Sequence, residues 1–252
     1  MRLEEILYTQ GFGTRRVCAG LVQQGYVMVA GVAVNDPGAD FSTEGLRFAV
    51  QGAEWAYHEK AYLMLHKPAG TECSQKPSTY PSIYTLLPSP LRLRPNKGAV
   101  QGVQAIGRLD QDTTGLLLLT DDGQFIHRMG SPKHHVPKVY EVTTKHAIDG
   151  SQVARLLAGV VLDDDPKPVR AAACEAVEPL HLRLTLTEGK YHQVKRMLAA
   201  VGNRVEALHR SRIGQLALPV DLLPGQWRWL SAKEVEALRI ARPSQRTGSV
   251  DR

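Results

Sequence analysis

The chain has only three cysteines in 252 residues, Cys18, Cys73 and Cys174. They are odd in number, far apart and in no CxxC spacing. This excludes a disulfide framework and a cysteine-built zinc site, and fits reduced thiols. No apolar run approaches the ~20 residues that a membrane-spanning helix needs. The opening Met1-Arg2-Leu3-Glu4-Glu5 places acids where a secretory leader carries basic and apolar residues. Internal repeats and low-complexity tracts are lacking too. At 43% hydrophobic and 22% charged residues the composition is that of an ordinary globule, which rules out disorder, collagen and coiled coil. These absences lead to the expectation of a cytoplasmic protein with one large domain, or a medium domain and a small one.

Charge is present in both signs, Lys+Arg 31 against Asp+Glu 25, for a net +6. Its distribution is informative. Residues 1–60 hold five basic and seven acidic side chains. Residues 190–212 hold Lys190, Lys195, Arg196, Arg204, Arg210 and Arg212 against the single acid Glu206, with His192 and His209 among them. A solvated face explains such a stretch on composition alone. A polyanionic partner explains why so one-sided a stretch persists against its own repulsion.

Apolar spacing organises the chain. Leu3, Ile6 and Leu7 recur at helical period, Gly11-Phe12-Gly13 breaks it, and Thr14 can cap a second helix to Gln24 with Val17, Leu21 and Val22 inward. Val27, Val29, Val32 and Val34 alternate around Gly31 as a hairpin. A core that small is not very stable alone. Residues 46–58 read as a strand and linker, 61–67 as an apolar strand, and 88–104 as an irregular basic loop. Gly115 to Thr120, with four consecutive leucines, reads as a strand buried on both faces. A short helix from Gln124, a strand over Lys138–Thr144, a helix capped by Ser151 with Val153, Leu156 and Leu157 inward, and an alternating strand Leu182–Leu186 follow. The clearest helix starts near Tyr191, with Val194, Met197, Leu198 and Val201 on one face and Gly202-Asn203 as its stop. The pattern predicts an α+β fold with a mixed, mostly antiparallel sheet flanked by helices. The expected division is 1–58, 59–241, and a loose tail 242–252.

The densest chemistry is Ile106-Gly107-Arg108-Leu109-Asp110-Gln111-Asp112-Thr113-Thr114-Gly115. Asp110 lies between an arginine and a buried strand, where a carboxylate can act as nucleophile or base. A turn-capping aspartate is the plainer reading of any single Asp. Asp110, Asp112 and Asp121 also mimic the opening of a calcium loop, although four leucines fill positions that loop needs. Asp110 and Asp112 could form a glycosidase pair, although such carboxylates normally come from separate elements. His127, His134 and His135 have no metal-ligand spacing.

Taken together these residues resemble the motifs of pseudouridine synthases. Gly107-Arg108-Leu109-Asp110 with Thr113-Thr114-Gly115 and the leucine run is similar to the central motif. Lys67-Pro68-Ala69-Gly70 followed by Cys73-Ser74, Lys138-x-Tyr140-x-Val142, Glu188 to Met197, and Leu208-x-Arg210-x-x-Ile213-Gly214 resemble the flanking motifs, in order. The first 45 residues resemble an S4-like RNA-binding domain, and the resemblance runs from about residue 2 to about 238. The Tyr-His-Gln-Val-Lys-Arg-Met form, with Asp221-Leu222-Leu223-Pro224-Gly225, Arg228 and Leu230, is closest to the Rsu-type branch.

That resemblance implies isomerisation of a 16S ribosomal RNA uridine, position 516 in the usual numbering, with no cofactor and no metal. The partner would be the RNA or a small-subunit assembly intermediate, and the protein a monomer. It implies Asp110, Tyr140 and Lys195 as catalytic residues. Lys195 stands where many relatives carry Arg, so the pairing would be a point charge, not a fork. Arg108, Leu208, Lys67, Arg196 and Arg210 would contact the substrate, and Arg2, Arg15 and Arg16 would hold RNA on the N-terminal unit. Two other readings stand beside it. One is the same chemistry on 23S RNA. The other is an RNA-binding assembly factor without catalysis.

Overall fold

The computed structural model describes residues 1–96, 100–131, 134–163 and 165–240. The expected tail lies outside them. Compactness divides the chain differently from a single break after residue 58. One unit holds Met1–Tyr62, Tyr84–Ala105 and Leu119–Asp122; the other holds Leu63–Ile83, Ile106–Leu118 and the chain from Gly123 onward.

In the first unit, α1 (Leu3–Gln10) buries Leu3, Ile6 and Leu7, and left-handed Gly11 ends it. Thr14 caps α2 (Arg15–Gln23) by accepting from the Val17 amide at 3.3 Å. The inward residues of α2 are Cys18 and Val22; Val17, expected inside, is half exposed. The hairpin β1 (Val27–Val29) and β2 (Val32–Ala33) forms as the alternation predicts. Residues 46–58, expected as a strand and linker, form a second hairpin, β3 (Arg47–Val50) and β4 (Ala53–Ala56), and the sheet order is β2-β1-β3-β4.

The rest of this unit is held by Arg94. Its side chain is 1% exposed. Nε donates to Asp121 Oδ2 at 2.6 Å, Nη1 to Gln10 Oε1 at 3.0 Å, and Nη2 to the carbonyls of His58 and Glu59 at 2.7 and 3.1 Å. The other oxygen of Asp121 accepts from the Ala61 amide at 2.8 Å. The region read as an irregular basic loop is therefore structural here. Both partners of the ion pair are enclosed and each makes further hydrogen bonds, which is the condition under which a buried pair is tolerated.

Further elements follow in chain order: β5 (Tyr62–Lys67), α3 (Ser89–Leu93), β6 (Gln104–Ala105), β7 (Thr114–Thr120), α4 (Gly123–Gly130), β8 (Lys138–Thr144), α5 (Gly150–Ala158), β9 (Val160–Leu162), β10 (Asp165–Val169), β11 (Ala173–Glu178), β12 (His181–Leu186), α6 (Gln193–Ala200), β13 (Val205–Ile213), β14 (Leu216–Ala217), β15 (Trp227–Trp229) and α7 (Ala232–Ile240). The sheet runs β11-β12-β8-β13-β7-β5-β15, with β9 and β10 as a separate hairpin. β8 pairs antiparallel with β12 and β13, whereas β13 pairs parallel with β7, so the sheet is mixed as expected. Leu116 to Leu119 are at most 1% exposed, which confirms a strand covered on both faces. Each such leucine contributes about 1.5–3 kcal/mol by leaving water. α5 is capped by Asp149, not Ser151: Asp149 accepts from the Gln152 amide and Gln152 returns the bond. Leu157 consequently turns outward while Leu156 is buried. Among the described residues no helix is long and apolar enough to cross a membrane.

Arg94→Met leaves Asp121 buried without its cation and takes a donor from the Glu59 carbonyl, while Gln10 Oε1 and the His58 carbonyl keep other donors. It is expected to cost about 3–5 kcal/mol, read from chemical denaturation of the full chain.

Candidate active site

The site begins with the turn before β7. Gly107 has φ +71°, and the Thr113 amide closes on the Asp110 carbonyl at 3.1 Å. Beneath this turn the ammonium of Lys67, at the end of β5, donates to the carbonyls of Pro68, Gln111 and Thr113 at 3.1, 3.3 and 2.9 Å. Lys67 is fully buried, so it does not reach RNA as the sequence led us to expect; it fixes the turn that carries Asp110. Burial pulls its pKa below the usual lysine range, against the opposing pull of Cys73, Asp112 and Asp110. At the other end of the turn, Gly115 has φ +112°. A Cβ there would stand 2.3 Å from the Arg210 carbonyl oxygen. Only glycine lets β13 pass this close to β7, and that passage brings the closing motif to the central one.

The helix α6 supplies the cations. Lys195, in its first turn, lies 3.2 Å from Asp110 Oδ2 and is bonded to both oxygens of Asp112 at 2.8 and 2.9 Å. The ammonium is thus shared, and Asp112 holds it more tightly than Asp110 does. Burial lowers the Lys195 pKa, but the bonds to Asp112 and Asp110 outweigh it, and the net shift is upward. Burial likewise raises Asp112, and the Lys195 bond and charge bring it below the usual carboxylate range. Asp112 and Lys195 are therefore charged together across neutral pH. His192 is a second neighbour of Asp110: its Nε2 lies 3.4 Å from Asp110 Oδ1. His192 is the N-cap of α6 in a left-handed conformation, φ +47°, and its ring stacks on Tyr191 at 3.7 Å. A non-glycine residue in that region stores about 1–2 kcal/mol. From this position the imidazole approaches Asp110. The i, i+3 spacing of His192 and Lys195, which puts both side chains on one face, was the available signal.

These groups line a cleft of about 750 Å³ that also includes Arg108, Tyr140, Leu186, Lys138, Leu208 and Arg210. Its size is that of a site for a small molecule or a single nucleotide. Asp110 and Lys195 are each a little over a quarter exposed. Tyr140 and Leu208 are both 8% exposed and belong to the core behind the cleft, so each forms wall and core at once. Arg108 is exposed at the rim. Arg196 does not line the cleft; its Nη1 donates to the Tyr191 carbonyl at 3.1 Å. The basic stretch 190–212 is not a uniform surface: Arg210 is buried and Arg204 pairs with Glu206 at 3.1 Å. On the N-terminal unit Arg2, Arg15 and Arg16 are exposed, with Arg15 lying over the Tyr8 ring at 4.5 Å.

The calcium-loop alternative fails on charge. Asp121 is committed to Arg94 and Asp112 to Lys195, so the three carboxylates do not converge on one ion.

A family model described as RNA pseudouridylate synthase matches residues 61–200, and an S4 domain model matches residues 1–43. Curated relatives named ribosomal small subunit pseudouridine synthase A include one from Haemophilus influenzae, 38% identical over 239 residues, covering 94% of this chain and 99% of that protein. Another, from Yersinia pestis, is 44% identical over 177 residues, covering 70% and 72%. A crystal structure of a pseudouridylate synthase superimposes with a TM-score of 0.65 at 36% identity, covering 94% of this chain and 99% of that one. The chain belongs to the RNA pseudouridylate synthase family, with an S4 domain in front.

Gly115→Ala is expected to destabilise the protein by about 2–4 kcal/mol through the clash with β13 and the left-handed backbone. Gly123→Ala, with open space around it, is the control and is expected to stay within about 0.5 kcal/mol of the parent. Thermal melts of both variants read the difference.

Proposed function

We propose that this enzyme converts a uridine of the small ribosomal subunit RNA, the 16S position 516 type, to pseudouridine on Asp110. The observation that carries this reading is the Asp110 carboxylate held 3.2 Å from Lys195 in a nucleotide-sized cleft walled by Tyr140 and Leu208. The target follows the relatives named for small-subunit RNA.

The chemistry sets four requirements. The nucleotide leaves the stack, because its sugar carbon is shielded in paired RNA; flipping costs a few kcal/mol, least in a loop. Arg108, exposed beside the aspartate, fills the vacated space or grips a phosphate. The Asp110 carboxylate faces the Lys195 ammonium at 3.2 Å. Such a pair is worth about 4 kcal/mol at 4 Å and an effective dielectric near 20, before desolvation. The N-terminal end of α6 adds to the same field. The C1′–N1 bond breaks with its electron pair on the ring. Asp110 bonds to C1′ or takes the C2′ proton. The ring turns against Tyr140, since stacking holds position while tolerating rotation. C5 then supplies a pair to C1′ as the Asp110–C1′ bond breaks, or as the proton held by Asp110 returns to C2′; C5 loses its proton, N1 gains one, and the carboxylate is restored. No atom is gained or lost overall.

The S4 domain holds RNA away from the chemistry through Arg2, Arg15 and Arg16, and the protein works as a cytoplasmic monomer on RNA or on an assembling subunit. Its first 60 residues are net acidic, so few phosphates are neutralised there and the salt dependence of binding is set mainly by the second unit.

Asp110→Asn tests the assignment. Pseudouridine formation in 16S RNA is expected to fall at least ~1,000-fold while RNA affinity stays within about threefold; an unimpaired rate removes Asp110 from the chemistry. Parallel reactions on 16S and 23S RNA, read base by base, test the target. Tyr140→Ala is expected to lower single-turnover rate more than affinity, and equal losses in both would make Tyr140 a packing residue only.

A further inference from the structure

Three cations in the cleft take no part in the chemistry above, and one of them, Lys190, pairs with Asp165, which leaves Lys138 and Arg210. Lys138 opens β8 two residues before Tyr140, so both side chains leave the strand on the same face. Arg210 sits opposite Tyr140 across the β8–β13 ladder. Both line the cleft. Neither is ion-paired among the described residues. The Lys138 ammonium donates to the Val136 carbonyl at 3.2 Å. Arg210 is 2% exposed; its Nε donates to the Leu116 carbonyl at 2.8 Å, and its Nη2 is enclosed with no partner. The carboxylates of the cleft are engaged elsewhere. Asp110 and Asp112 face Lys195, Glu72 accepts from the amides of Ser78, Thr79 and Tyr80, and Glu188 accepts from Gln193.

An enclosed guanidinium N–H without an acceptor is costly, and a second cation beside it adds repulsion. Burial first, and the Arg210 charge second, bring the Lys138 pKa down to about 8. Two uncompensated cations at one wall of a pocket are a preorganised receptor for negative charge.

We propose that Lys138 and Arg210 receive the carbonyl oxygens of the uracil ring as it departs as an anion, and so both recognise the base and stabilise the leaving group. This rests on the uridine-isomerising reading. When the C1′–N1 bond breaks, the electron pair that stays on the ring is spread over N1, O2 and O4, and the ring stacked on Tyr140 is the group nearest both cations. A backbone phosphate is the other anion the RNA offers. Phosphates stay with the sugar chain at the rim, where Arg108 is exposed, whereas Arg210 is enclosed beside the base wall.

The test is Lys138→Met, with RNA carrying either uridine or 5-fluorouridine at the target. Fluorine at C5 withdraws electrons and makes the ring a better leaving anion, and the readout is single-turnover loss of the starting nucleoside. The variant is expected to lose about 10- to 100-fold on uridine, and at least about threefold less than that on 5-fluorouridine. Lys138→Arg, which keeps the charge, is expected to recover most of the uridine rate and shows that the fold survives substitution there. Equal deficits on the two substrates overturn the proposal. So does a deficit confined to RNA affinity with a salt slope reduced by about one, which marks a phosphate contact. A wild-type protein that leaves uridine intact overturns the isomerase reading and this inference with it, while an undiminished uridine rate in Lys138→Met overturns the inference alone.

Discussion

One ammonium, that of Lys195, holds two carboxylates in a partly buried cleft, and the geometry of the site depends on it. Asp110 and Asp112 sit two residues apart on one turn, and like charges that close repel unless a cation divides them. Lys195 does so from the first turn of α6, bonded to both oxygens of Asp112 and within 3.2 Å of Asp110. A lysine there works against the positive end of its own helix, and the two acids offset that cost. The arrangement also assigns different work to the two acids. Asp112 is saturated by Lys195, whereas Asp110 shares contacts with His192 and Lys195 and faces the cleft. Asp112 is thus the more tightly paired of the two acids.

The scaffold behind that triad is built for rigidity. Among the described residues Lys67 is a buried cation with no carboxylate ion pair, and it donates to three carbonyls, two of them in the turn it supports. Gly115 removes the one side-chain atom that would keep β13 from β7. The leucine run of β7 then anchors the turn in the sheet. Four consecutive leucines on a strand covered on both faces leave little freedom to the residues immediately before them.

What was legible in the sequence was local. The leucine run, the alternation of Leu182, Leu184 and Leu186, and the helical spacing of Val194, Met197 and Leu198 each reflect burial of one element by its own residues, and each is found where expected. Legibility failed where a partner lay far along the chain. Arg94 looked like part of a basic loop because its acid, Asp121, is 27 residues away. Lys67 looked like an RNA contact because its acceptors are carbonyls, which carry no sequence signature. The strand β11 was missed because it is largely exposed and shows no apolar alternation. The Asp149-x-x-Gln152 cap was readable as a reciprocal pair, and Ser151 was preferred to it wrongly. The site residues were recognised from motifs in order; the sharing of Lys195 and the approach of His192 required coordinates.

In the proposed reaction the charge of Lys195 positions Asp110 and does not merely hold the fold. The direct measurement is single-turnover conversion of 16S RNA by Lys195→Met and Lys195→Arg, with RNA affinity and melting temperature followed in parallel. The methionine variant is expected to lose about 100-fold or more in rate at near-constant affinity, and arginine to restore most of it. A methionine variant that is folded, binds RNA and converts uridine at the parental rate would contradict it.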